Sequence, residues 1–196
     1  MDSHYSEALR VFSRLFRKAK KCKAIRDATA MLLATADCAG RPSIRAVLLK
    51  GADDRGFVFY TNTESRKGRK LSDNPQAAVT FFWHPIGVQV HIEGSVERVD
   101  PAEADAYWAT RPRDSQLGAW ASLQSRPLMN RRVLLARVLE QAKRFHGKPI
   151  PRPSMWTGFR IIPDRIEFWK EGAFRLHDRQ LYERRGNKWS YMHLYP

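Results

Sequence analysis

From residue 88 to 99 the chain alternates, with Val88, Val90 and Ile92 on one side and Gln89, His91 and Glu93 on the other. A period of two marks a strand with one dry and one wet face, the pattern of an antiparallel sheet. Further short strand patterns lie at 30–36, 43–50, 57–61, 77–83, 156–162, 165–170, 181–184 and 189–193. Residues 37–42 and 51–56 are rich in Asp, Gly and Pro and read as turns between them. Helical spacing is confined to a few segments. Ala8, Val11, Phe12, Leu15, Phe16 and Ala19 place one apolar stripe on a helix over 6–24 whose other face is basic. Shorter helices are expected over 65–72, from Pro101 to about residue 110, and over 131–146. The fold class that follows is mainly β with peripheral helices: an antiparallel barrel over 27–196 behind the helix 6–24, in one domain of 196 residues.

The formal charge is +15, from 35 Lys and Arg against 20 Asp and Glu. Such a field favours anionic partners: nucleic acid, an acidic surface or a phosphorylated small molecule. The densest basic run, 14–23, lies on the first helix, but no nucleic-acid-binding motif accompanies it, and no nucleic-acid partner is expected. No apolar run approaches the length of a membrane span, and the first residues lack the layout of a signal peptide. Cys22 and Cys38 have no metal-like spacing, and free thiols fit a cytoplasmic protein. Neither a metal motif nor a Walker loop is present. Phe81, Phe82, Trp83 and Trp156 read as core, and His84 and His193 as ordinary residues.

Four segments can carry chemistry. Arg45-Ala46-Val47-Leu48-Leu49-Lys50 is an apolar strand with a cation at each end. In Tyr60-Thr61-Asn62-Thr63-Glu64-Ser65-Arg66-Lys67, Ser65 can cap a helix whose first turn holds Arg66 and Lys67. Cations there oppose the helix dipole, whereas a phosphate is welcome at the free N–H groups. Tyr107 and Arg111 are four apart and can share a helix face. Pro112 then stops that helix, with Arg113 and Ser115 just beyond. Last comes Arg175-Leu176-His177-Asp178-Arg179. In an extended chain Arg175, His177 and Arg179 share a face that calls for an anionic or electron-rich neighbour, while Leu176 packs and Asp178 pairs on the other.

Taken in order, R-A-V-L-L-K, F-Y-T-N-T-E-S-R-K, R-P-R-D-S-Q-L-G-A-W, Q-S-R, F-W and R-L-H-D-R resemble the pyridoxamine 5'-phosphate oxidase family over about residues 27–185. The resemblance implies an FMN-binding split β-barrel, a homodimer and FMN at the subunit interface. It implies flavin contacts at Arg45, Val47, Leu48, Lys50, Tyr60, Thr61, Arg66, Lys67, Gln89, Gln124, Ser125, Trp169 and Arg179. Substrate phosphate would meet Lys50, Tyr107, Arg111 and Ser115. Arg175 and His177 would face the pyridine ring, with Asp27 as an active-site acid. The implied reaction oxidises pyridoxamine or pyridoxine 5'-phosphate to pyridoxal 5'-phosphate and reduces molecular oxygen to hydrogen peroxide. A related flavin-binding protein with another ring substrate or little turnover is the alternative. Val88 and the terminal His193-Leu194-Tyr195-Pro196 depart from the family pattern, which often has arginine before Gln89 and usually ends R-L-A-P. The chain also begins close to its first helix, so the family's N-terminal arm over the substrate is expected to be absent or reduced.

Overall fold

A computed structural model describes residues 2–196. The order of elements is α1 (Ser3–Lys21), β1 (Ala30–Ala36), β2 (Pro42–Leu48), β3 (Gly51–Asp53), β4 (Gly56–Asn62), α2 (Arg66–Asp73), β5 (Gln76–Trp83) and β6 (Val88–Arg98). Then follow α3 (Pro101–Ala109), α4 (Arg113–Ala121), α5 (Arg131–Arg144), β7 (Trp156–Lys170), β8 (Asp178–Arg185) and β9 (Lys188–Leu194). All pairings are antiparallel, and seven strands run in the order β2-β1-β5-β6-β7-β4-β3, with β8 and β9 continuing from β7.

The two ends of that order are consecutive in sequence. At Leu49 the backbone N–H still donates toward the β1 side, to Thr29 O (2.9 Å), but Lys50 N–H donates to Val58 O of β4 (2.8 Å). One residue therefore carries the chain from one edge of the sheet to the other, and the sheet curls into a barrel. Edge closure leaves fewer open backbone groups. Inside, Leu33, Phe57, Phe59, Val79, Phe81, Val90, Ile92 and Ile161 are buried. Phe12 of α1 packs against this core, its ring 5.0 Å from Phe57 edge-on and 5.4 Å from Phe81. The apolar stripe read from sequence is what docks α1, although the helix begins at Ser3, capped by Asp2, and ends at Lys21 rather than spanning 6–24.

The structure corrects several sequence expectations. Residues 51–53, read as turn, form β3, since Gly51–Asp53 pairs with 56–58 around a tighter turn. The strands 156–162 and 165–170 are one strand, β7. Its break at Pro163 is absorbed by a bulge opposite Glu93 and Gly94, where a proline's missing N–H is tolerated. Gly94 permits this close approach: a Cβ there would lie 2.0 Å from Ile162 O. Helix α4 was not expected at all, because Pro112 reads as a stop and the segment lacks a strong apolar stripe. Phe82, read as core, is 57% exposed on the outer face of β5. Among the described residues no helix is long and apolar enough to cross a membrane.

One buried charge ties three elements together. Arg160 of β7 is 2% exposed and bonds Asp53 of β3 (2.6 Å) and Glu103 of α3 (2.8 and 3.1 Å). A buried cation is tolerable only with such partners. Arg160→Ala is expected to cost about 3 kcal/mol of unfolding free energy, and Glu103→Ala less because Asp53 still pairs, as read by urea denaturation.

Candidate active site

A cleft of about 420 Å³ opens where β2, β4, α2, α3 and α4 meet, lined by Val47, Leu48, Lys50, Tyr60, Thr61, Lys67, Tyr107, Arg111, Ser115, Gln124 and Trp156 among others. A smaller space of about 310 Å³ adjoins it and shares Tyr60, Thr61, Arg111, Ser115, Gln124 and Trp156. Ten of the residues singled out from sequence are thus brought together. A larger cleft of about 850 Å³ lies between α1, β3 and the β8–β9 ribbon, with mixed charges such as Arg10, Arg14, Asp53 and Asp54 and none of the predicted residues.

Local sequence explains the gathering. The seam at Leu49 and Lys50 puts Lys50 beside β4, whose C-terminal end presents Tyr60 and Thr61. Ser65 caps α2 as expected, its Oγ accepting from Gly68 N–H (3.2 Å), and this aims the first turn into the cleft. There Lys67 Nζ donates to Thr61 Oγ1 (3.0 Å) and Gln124 Oε1 (2.8 Å). α3 ends at Ala109 and α4 starts at Arg113, so Tyr107 of α3, Arg111 of the short junction (off the shared helix face its spacing predicts) and Ser115 of α4 converge. Gln116 fastens the pair by donating to Trp108 O (2.9 Å).

Cations here outnumber their partners. Burial, and then the Arg45 charge, push the Lys67 ammonium down to about 8. Burial and the neighbouring Arg66 also lower Arg45, whose guanidinium donates to Leu33 O and Thr35 Oγ1, both at 2.9 Å. Burial lowers Arg111 too, and its buried Nη1 has no hydrogen-bond partner among the described residues. Such a set is poised for an anion. Asp27 is exposed and outside the cleft lining, held below the usual carboxylate range by the Thr29 hydroxyl and N–H (2.6 and 2.9 Å), with Lys50 contributing. Ser125, at φ 71°, lines a neighbouring groove instead of this cleft.

A second group of predicted residues lies elsewhere. Gln89, Trp169 and Arg179 stand in register across β6, β7 and β8. Arg179 is held by Glu167 (2.8 Å) and by Tyr195 O (3.0 Å). His177 packs 4.6 Å from Trp169, and its Nδ1 accepts from Gly172 N–H (3.3 Å). The R-L-H-D-R run is not the extended strand its alternation suggested. Ala173–Arg175 is a 3₁₀ turn in which Phe174 and Arg175 have φ of 55° and 63°. The strand starts only at Asp178, and Leu176 is 69% exposed rather than packed. Asp178 does pair, with His193 at 3.5 Å.

The two groups sit at opposite ends of β7. Tyr60 faces Gly158, whereas Trp169 faces Gln89. At ~3.3 Å per residue, the strand from Gly158 to Trp169 covers on the order of 30 Å. Trp156, taken from sequence as core, is the site residue that was missed. It is buried but its ring forms a wall of the cleft, and nothing in the one-letter pattern separates that from core packing.

Residues 18–144 match the family model described as pyridoxamine 5'-phosphate oxidase, and 156–196 match the pyridoxine 5'-phosphate oxidase C-terminal dimerisation region. The chain belongs to the pyridoxamine 5'-phosphate oxidase family. A pyridoxine/pyridoxamine 5'-phosphate oxidase of Myxococcus xanthus is 55% identical over 94% of this chain and 89% of its own length. One from Alkalilimnicola ehrlichii is 51% identical over 97% of each. Among solved structures, PhzG from Burkholderia lata, in complex with tetrahydrophenazine-1-carboxylic acid, has a TM-score of 0.91 at 33% identity, covering 100% of this chain and 98% of that one. A pyridoxamine 5'-phosphate oxidase-related, FMN binding protein from Nostoc punctiforme has a TM-score of 0.77 at 17% identity, covering 95% and 96%, a likeness of fold alone. The split barrel expected for this family is the fold observed.

Lys67 gives the cleft a pH signature. Its folded-state value lies below that of the unfolded chain, so the unfolded state binds more protons between pH 8 and about 10. Stability of the ligand-free protein relative to Lys67→Met is therefore expected to rise across that window and to be flat below it, measured by denaturant unfolding at stepped pH.

Proposed function

We propose that the protein is an FMN-dependent oxidase converting pyridoxamine or pyridoxine 5'-phosphate to pyridoxal 5'-phosphate, with oxygen reduced to hydrogen peroxide. The observation that carries this reading is the cleft with two cationic grips beside an aromatic wall. Lys50, Tyr107, Arg111 and Ser115 form one, and Lys67 the other, with the Arg45 and Arg66 charges adding to it from outside the lining. Family relatives that share half of this sequence bear the name of that activity.

The residues fit FMN on their own chemistry. The partnerless Arg111 Nη1 and the depressed Lys67 describe a cleft short of negative charge, and two phosphate-bearing ligands supply it. Arg66, Lys67 and Gln124 would hold the flavin phosphate at the first turn of α2. When bound, FMN supplies the acceptor for a hydride from the substrate's 4'-carbon and the route for those electrons to oxygen.

The chain's own groups do the rest. Lys50, Tyr107, Arg111 and Ser115 would fix the substrate phosphate and so orient the ring toward the flavin. His177 accepts at Nδ1, so its neutral ring carries the proton on Nε2, free to donate to the substrate's phenolic oxygen. The Arg175 guanidinium can steady negative charge beside the reacting carbon. Its positive φ and that of the preceding Phe174 are backbone strain of the kind held at functional turns. Asp27, kept ionised by Thr29, stands near Lys50 as a proton partner. Gln89, Trp169 and Arg179 complete the flavin contacts from the far end of β7. That end of one copy must meet the cleft of another, which requires a homodimer. The matched dimerisation region over 156–196 supports this reading.

The likeness to PhzG favours a second reading on the same fold, a different ring substrate or little turnover. An oxidase assay on FMN-reconstituted protein separates the two. Peroxide release with pyridoxamine or pyridoxine 5'-phosphate is expected. Arg111→Ala should raise KM roughly a hundredfold, and Arg175→Ala should cut kcat/KM by a similar factor, with FMN retained in both. A protein that cannot be reconstituted with FMN, or that releases no peroxide with either compound, overturns the proposal.

A further inference from the structure

The rings of Tyr60, Tyr107 and Trp156 form a nearly parallel stack at the cleft wall. Trp156 lies 5.1 Å from Tyr60 at 11° and 6.1 Å from Tyr107 at 9°, and the two tyrosines are 4.1 Å apart. The Arg111 guanidinium sits over the Trp156 ring at 4.7 Å and over Trp108 at 5.1 Å. These indoles meet edge to face at 4.9 Å and 68°, so the cation occupies a corner between two π surfaces.

We infer that Trp156 is the positioning residue of the substrate-phosphate grip: its indole plane sets where Tyr107 and Arg111 meet the phosphate. The inference rests on the reading of this cleft given above. No carboxylate pairs with Arg111 among the described residues, although Asp and Glu hold most other buried or half-buried arginines of the chain. A carboxylate would orient Arg111 but would also compete with the incoming anion. A π face attracts and orients a guanidinium without occupying its hydrogen-bonding edge. The free edge is evident: Arg111 Nη1 is buried, faces no protein acceptor and waits for one.

The plate itself is fixed. Trp156 is 7% exposed at the start of β7, paired with Asn62 of β4. Its N–H donates to Pro153 O (3.0 Å) and its carbonyl accepts from Arg152 Nη1 (2.8 Å). Trp108 is locked by donating Nε1–H to Ile150 O (2.8 Å). Two residues along β7, Gly158 leaves room for the stack: a Cβ there would lie 2.7 Å from the Tyr60 ring. A tryptophan serving only to fill core would have no reason to present one face to an unpaired cation.

The test compares Trp156→Leu, Trp156→Phe and a core control, Val79→Ala, in FMN-reconstituted enzyme. Trp156→Leu is expected to raise KM for pyridoxamine 5'-phosphate about tenfold, with kcat and FMN affinity within about twofold of wild type. Trp156→Phe should recover much of that loss, and Val79→Ala should lower Tm without moving KM. Calorimetric titration of the same proteins with inorganic phosphate should show the weakening in Kd. That titration stands even if neither vitamer is oxidised, an outcome that would overturn the functional reading alone. Unchanged phosphate affinity in Trp156→Leu, or an equal loss in Val79→Ala, overturns the positioning role.

Discussion

At Leu49 and Lys50 the backbone exchanges one hydrogen-bonding neighbour for another, and the rest of the molecule follows from that exchange. Leu49 belongs to the β1 side and Lys50 to β4, so the strand that leaves one edge of the sheet begins the other. Closure curls the sheet, buries alternate faces of β5 and β6 and the first half of β7 on both faces, and brings Lys50 into one cleft with Tyr60 and Thr61. Apolar burial alone would permit many curled sheets. The seam selects this one, because backbone groups inside must find partners.

The cleft at that seam carries an electrostatic debt that the protein does not settle internally. Elsewhere the chain pairs its buried charges: Arg160 with Asp53 and Glu103, Arg179 with Glu167. In the cleft, Lys67 leans on neutral oxygens of Thr61 and Gln124, and Arg111 on indole faces. Neutral and π partners hold a cation in place while leaving its charge available, so the cleft is organised before any anion arrives. On the proposed reading, anion affinity comes from Lys67 and Arg111, cations that burial has already stripped of solvation.

Much of this was legible in the sequence. The alternation in 88–99 marked both the strand and its buried face, and Ser65 announced the cap of α2. Other features were hidden for physical reasons. Pro163 looks like a break until its partner strand shows the bulge that accommodates it. Pro112 looks like an ending, yet a helix begins at the next residue. The turn at Phe174 and Arg175 has no glycine or asparagine to betray a positive φ, so an extended alternation was read where the chain folds back. Trp156 is hidden in the sequence because a tryptophan in a strand is ordinarily core, and only the guanidinium above it marks the difference. The segments that resemble the oxidase family did locate the cleft residues, but no sequence pattern reveals that Trp169 of β7 and Tyr60, paired from β4, lie at opposite ends of β7.

That separation is what makes the second copy part of the proposed chemistry, and it can be tested directly. Chains carrying Arg111→Ala and chains carrying Arg175→Ala are each reconstituted with FMN, then mixed under conditions where subunits exchange. If every site takes its phosphate grip from one copy and Arg175 from the other, each mixed dimer holds one intact site. Peroxide release with pyridoxamine 5'-phosphate should then recover to about a quarter of wild type, as random pairing of two chains requires. Activity no higher than that of the separate variants, in mixtures whose exchange has been verified, would contradict a site shared between subunits.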